Sequence, residues 1–168
     1  FRLLAWRSPL HRLRLRGRFP LKLITVPADP IAGDAAIGAT MMKGRFIHRG
    51  EEVAIQSLSF ANVEASAEMR DWLQSFVWLR DLAASSARTE AAQLAEPLTR
   101  LWLAEHSEFD PIGWRPDLIG KRLLFWTAYA PLILSSSDLV YRSAVLNAVA
   151  PMARHLERSE GKAEEGLP

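Results

Sequence analysis

Histidines are the first residues to weigh for chemistry, because this 168-residue chain contains no cysteine. His11, His48, His106 and His155 are spread along it. None stands in an H-x-x-x-H pair or beside a carboxylate at ligand spacing, so no metal and no cofactor is expected. Without cysteine there is no disulfide framework, no thiolate metal site and no thiol nucleophile. The nucleophile elbow G-x-S-x-G, the phosphate loop G-x-x-x-x-G-K-S/T and the dinucleotide pattern G-x-G-x-x-G are all missing. "GDAAIG" at 33–38 has the wrong glycine spacing for a phosphate cradle. The serine runs at 85–86 and 135–137 read as loop and cap residues.

Three residues remain as binding candidates, and they lie close together in sequence. Arg122, in "WRPDLIGKRLLFWTAYAPLIL" (114–134), has only Leu118, Ile119, Phe125 and Trp126 one helical turn away. Its neighbour Lys121 has a local partner in Asp117 at i, i−4. The Arg122 guanidinium must therefore find an interhelical partner, reach water, or await an anion. Trp126 shares its face, and a guanidinium beside an indole suits a carboxylate on a sugar ring. Trp114 precedes a helix start in "DPIGWRP", where an indole either closes the core or forms a platform for a pyranose. An interhelical salt bridge for Arg122 and a core position for each tryptophan are the structural alternatives.

Charge is distributed unevenly. Residues 1–50 hold ten Lys or Arg and two acids, Asp29 and Asp34, whereas the whole chain nets only +2. Arg12, Arg14, Arg16 and Arg18 alternate with Leu13, Leu15 and Gly17, a comb that suits an extended basic edge. Such an edge can attract nucleic acid or anionic lipid, or pack against acids of its own protein. Nucleic-acid recognition adds stacking aromatics to the patch. Only Trp6 and Phe19 flank it, so no nucleic-acid partner is expected.

The elements that must position these groups divide the chain in three. Residues 1–60 form a basic leader with a short strand at 21–26, a short helix at 34–43 and a hairpin at 44–55. Residues 61–158 are helical. Met69, Trp72, Leu73, Phe76 and Leu79 mark a first helix, and Ala91, Leu94, Leu98 and Trp102 a second, in which Pro97 predicts a kink or a split. Pro116 suits the first position of a third helix, with Asp117 at its positive end. A fourth starts near Leu139 after the capping "SSSD" and is interrupted at Pro151. Residues 159–168 are a polar tail. No apolar run reaches the roughly 18 residues of a membrane span. Short polar turns between these helices predict successive helical hairpins.

The order of "FVWLRDL" (76–82), "RLWLAEH" (100–106) and "WRPDLIGKRLLFWTAYAPLIL" resembles the amino-terminal helical region of bacterial heparinase II/III-like proteins. "WRSPLHRLRLRGR" and "KGRFIHRGEEV" are similar to that group as well. The resemblance implies a mainly α fold: helical hairpins forming part of an incomplete α/α toroid, with a short extended and hairpin segment near the N-terminus. It implies a polysaccharide lyase acting on acidic, uronate-containing polymers such as glycosaminoglycans, by β-elimination. In that reading Arg122, Trp126 and Trp114 contact the polysaccharide. The family's catalytic Tyr and His match no motif here, so the segment alone is expected to be inactive. Its partners would be the C-terminal catalytic and β-sandwich regions of the same chain. The chain opens on Phe1 rather than Met, which suggests an upstream piece. The compartment stays open, with the periplasm or cell envelope of a bacterium the nearest implication. The alternative is a non-catalytic α-helical scaffold or interaction module.

Overall fold

The computed structural model describes residues 23–106 and 111–164, with side chains as far as 159. The arginine comb, Trp6, His11 and Phe19 lie outside the described residues. The described chain is mainly helical, with one two-stranded sheet. Helix α1 (Ala35–Met42) begins at Asp34, whose carboxylate accepts from the amides of Ala36 and Ile37 at 2.8 and 3.3 Å. It thereby satisfies two of the donors that every helix start leaves open. Strands β1 (Arg45–His48) and β2 (Glu51–Ala54) follow, antiparallel, with His48 opposite Glu51. Arg49 and Gly50 form the two-residue loop with φ of +51° and +84°. Both central residues of this hairpin turn have the positive φ that its twist demands.

Glu51 then reaches across to the start of α2 (Ala67–Ser75), accepting from both the amide and the hydroxyl of Ser66. Ser66 itself caps α2 through the Met69 amide. The expected first helix, carried by Met69, Trp72, Leu73, Phe76 and Leu79 within residues 64–85, breaks at Phe76, which adopts a left-handed φ of 60°. That conformation costs a non-glycine residue about 1–2 kcal/mol. It is held because the Phe76 ring is enclosed by Phe60, Trp78, Trp102 and Trp126. Helix α3 (Trp78–Ser85) leaves in a new direction.

Helix α4 (Arg88–His106) runs unbroken through Pro97, and α7 (Leu139–Glu164) through Pro151. Each proline removes one helical hydrogen bond, yet buried residues on both sides of it (Ala95 and Leu98, Val145 and Met152) anchor the two halves. Helix α7 continues to Glu164, so part of the expected polar tail is helical. Between α4 and α7 lie α5 (Pro116–Ala128) and a single turn α6 (Ala130–Ile133), separated at Tyr129. The Trp114 indole donates to the His106 carbonyl at 3.1 Å, joining the end of α4 to the start of α5. Leu156 of α7 lies beside Gly120 of α5, and Met152 beside Arg122, so these two helices are antiparallel. Arg100 of α4 bonds Asp138 at 2.8 Å and stacks 3.9 Å from the Tyr141 ring. Helices α5 and α7 thus form one helical hairpin, while α4 packs mainly on α6 and meets α5 through Trp102, which lies against Arg122 and Trp126.

The strand expected at 21–26 does not form within the described part, 23–26. Among the described residues no other strand lies alongside it, and Ile24 is almost fully exposed. This segment is instead an extended strap that one carboxylate pins down. Asp29 receives Arg80 in a fork at 2.8 and 3.1 Å, the Tyr129 hydroxyl at 2.9 Å and the Ile31 amide at 3.0 Å. The strap then delivers α1 onto α3 at unusually short range. A Cβ on Gly38 would stand 2.1 Å from the Asp81 carbonyl oxygen, and one on Gly33 would stand 2.2 Å from that of Arg80.

Two expected outcomes follow from this packing. Gly38→Ala must displace backbone, and should lower unfolding free energy by about 1–3 kcal/mol. Gly120→Ala meets only a Leu156 methyl at 3.7 Å and should raise it by roughly 0.5–1 kcal/mol through helix propensity. Urea denaturation of both variants checks the contrast; equal effects of one sign would contradict it. The second outcome concerns acid. Arg80 holds the Asp29 carboxyl down to about 2 from its ordinary 3.8. A carboxyl depressed by folding stabilises above its unfolded pKa and loses that contribution as pH falls through its folded one. Asp29 and Arg80 side chains are only 11% and 17% exposed, so the contribution at neutral pH is about 2 kcal/mol. Asp29→Asn should therefore be less stable at pH 7 by that order, with the difference closing between pH 4 and 2.

Candidate functional site

Gln74, at the end of α2, is the hub of the interior. The Trp102 indole N–H donates to its side-chain oxygen at 2.7 Å. Trp102 has only a donor to offer, so this contact fixes which way the amide points. The amide nitrogen of Gln74 then donates to the Phe60 carbonyl at 2.9 Å and faces His106 Nε2 at 3.0 Å. The Gln74 amide nitrogen can only donate, so in that pair the imidazole nitrogen is the acceptor. Gln74, His106 and Arg122 are all nearly or fully buried.

Arg122 enters the same network from α5. Its Nε and Nη2 donate to the main-chain oxygen of Gln74 at 2.9 and 2.7 Å, and Nη1 donates to the Gly113 carbonyl at 2.8 Å. Its guanidinium carbon sits 4.1 Å from the centre of the Trp102 ring. A desolvated guanidinium on an indole face gains about 2 kcal/mol beyond its hydrogen bonds. Two of its acceptors are carbonyls where the chain leaves regular structure: Gln74 at the end of α2, next to the Phe76 break, and Gly113 ahead of α5. Helix ends leave such oxygens without intrahelical donors.

The sequence brought Arg122, Trp126 and Trp114 forward as polysaccharide contacts. The structure does bring them together, but inside the protein. Their exposures are 0%, 1% and 4%. Trp126 stands edge-on to Phe76 and Trp102, both at 5.3 Å, and Trp114 stands edge-on to His155 at 6.0 Å. In this arrangement none of the three reaches a polymer in solvent. The guanidinium neither snorkels to water nor lies open to an outside anion.

Two surface clefts are better placed for ligands. One, of about 410 Å³, opens between the hairpin tip, α2 and α5; His48, Arg49, Glu68, Trp72, Lys121 and Phe125 are among its walls. The His48 imidazole lies flat on the Trp72 indole, with ring centres 4.9 Å apart and planes 11° apart. Burial, with the Arg49 charge, holds His48 below the usual imidazole pKa. The other cleft, of about 470 Å³, lies across α2, between Asn62, Arg70, Ile112 and Arg115. Asp71 borders both and is held by Arg115 at 2.8 Å. Among the described residues no three His, Asp or Glu side chains gather as metal ligands. No helix among them is long and apolar enough to cross a membrane.

Sequence reading missed Gln74 because its partners are 28 and 32 residues away, and nothing local marks it. It also gave no role to His48 and Trp72, which lie in different predicted elements. No protein-family model, curated protein or solved structure matches the chain.

The network generates a test of Arg122. Arg122→Met keeps the volume but leaves the Gln74 and Gly113 carbonyls without their donors, each costing about 1–3 kcal/mol. Arg122→Lys cannot reproduce the fork, and should lose a similar amount. Arg115→Ala breaks pairs that are roughly half exposed and should cost under about 1 kcal/mol. Chemical denaturation of the three variants decides. A neutral Arg122→Met would remove the structural role assigned to the guanidinium.

Proposed function

We propose that this chain is the amino-terminal helical part of a heparinase II/III-like lyase that cleaves acidic, uronate-containing polysaccharides by β-elimination. In this reading the helical hairpins belong to an incomplete α/α toroid. The reaction requires a neutralised uronate carboxylate, a base at C5 and an acid at the leaving oxygen. Those groups would come from outside these 168 residues. The observation that best supports the reading is the antiparallel packing of α5 on α7, with apolar side chains left uncovered on both. Leu124 is 56% exposed, Leu139 72% and Val140 81%. A layered helical array would cover such residues with its next helix. Arg122, Trp126 and Trp114 then stiffen the wall of the array instead of touching the polymer.

A non-catalytic helical scaffold or interaction module is the second reading. It is favoured by the burial of all three candidate contacts. The two readings separate in the full-length gene product. Elimination leaves a carbon–carbon double bond conjugated to the uronate carboxylate, which absorbs in the ultraviolet. A panel of uronate polymers should give that absorbance with the full-length protein and none with the 168-residue segment. A folded full-length protein inert on every polymer would leave only the scaffold reading.

A further inference from the structure

The cleft between the hairpin tip, α2 and α5 contains hydrogen-bonding groups that the fold itself does not use. Its two carboxylates are engaged: Glu68 binds Arg49 at 2.8 Å, and Asp71 binds Arg115 at 2.8 Å. Three donor groups are not. Among the described residues, no hydrogen bond or ion pair reaches the Lys121 ammonium, the Trp72 indole N–H or the His48 imidazole. Lys121 feels Asp117 one turn earlier, but that carboxylate is already forked by Arg115 at 2.7 and 3.2 Å. The remaining capacity is therefore one cation and two neutral donors. Beside them lie Val77 and Phe125, which give the cleft an apolar wall. Its 410 Å³ falls within the roughly 300–1,000 Å³ of small-ligand sites.

We infer that this cleft binds a polar, ring-sized ligand carrying a single oxyanion, of the chemical class of a hexuronate. Lys121 takes the carboxylate. The Trp72 N–H and His48 bond the oxygens around the ring, whose apolar face lies toward Phe125 and Val77. A neutral imidazole offers one donor and one acceptor, which suits hydroxyl groups better than a second anion. The mixed charge of the rim, with Glu68 and Arg49 paired across it, disfavours densely charged ligands. The cleft's own donor groups carry the site, and the choice of a hexuronate rests on the lyase reading, whose separate ultraviolet test a failure here would leave untouched.

The test is an NMR titration of the ¹⁵N-labelled 168-residue protein, following the Trp72 indole resonance, with sodium D-glucuronate as the probe. D-glucose and inorganic phosphate serve as the neutral-ring and bare-anion controls. Glucuronate should give a saturable shift. Lys121 is a surface residue, so Lys121→Gln should keep the fold and weaken binding roughly tenfold, the scale of one charge-assisted hydrogen bond. Trp72→Phe, with saturation followed on Lys121 and His48 signals, should weaken it as well. No saturable shift, an unchanged affinity in Lys121→Gln, or equal binding of glucose or phosphate would each overturn the assignment.

Discussion

The structure depends on one permanently charged group made acceptable to a dry interior. A guanidinium cannot shed its proton at any ordinary pH, so its burial succeeds only where oxygen acceptors surround it. Here the polypeptide supplies them from places where regular hydrogen bonding fails. Gln74 lies at the end of α2, just ahead of the left-handed Phe76, and Gly113 lies before α5. The break at Phe76 and the burial of Arg122 are thus two aspects of one arrangement. The break frees a carbonyl and turns the phenyl ring into the aromatic cluster; the guanidinium occupies the carbonyl and lies on Trp102. Trp126 completes the enclosure.

A second polar anchor works at the periphery by a different rule. Asp29 gathers Arg80, Tyr129 and its own loop amide at a site that is partly wet. Water lowers the cost of bringing charge there, so this pair can contribute net stability instead of merely being tolerated. It also makes use of the interruption at Tyr129, where Pro131 has no N–H to continue the helix. By leaving the helix there, the chain lets the hydroxyl reach Asp29, while α6 packs against α4. The glycines of the strap segment and α1 extend the same logic, since only backbone without a side chain could settle so closely on α3.

How much of this was legible in the sequence depends on the range of the interactions involved. The short helix over 34–43, the hairpin over 44–55 and Pro116 at a helix start rest on local signals, and each is found close to where the pattern places it. The break at Phe76 carries no Gly or Pro, so the apolar periodicity runs straight across it, whereas the one at Tyr129 is marked by Pro131, the second residue of α6. Conversely, neither Pro97, for which a kink or a split is expected, nor Pro151 splits its helix: both stand inside helices that continue past them. Arg122 was legible as a problem: a charge with apolar neighbours. Its solution was not, because the acceptors are main-chain atoms, which no residue type announces. The cleft at His48 and Trp72 was hidden for a related reason. It forms only when the hairpin folds back over α2, a contact set by Glu51 and Ser66 across fifteen residues.

The reach of Gln74 has a bearing on modularity. Arrays of helical repeats often tolerate the loss or gain of a unit, because each unit touches only its neighbours and adds its own increment of stability. Gln74 instead ties Phe60, Trp102, His106 and Arg122 into one knot spanning more than sixty positions of chain. Removing any part of that span would strip a buried polar group of its partner, so this region stands or falls as one unit.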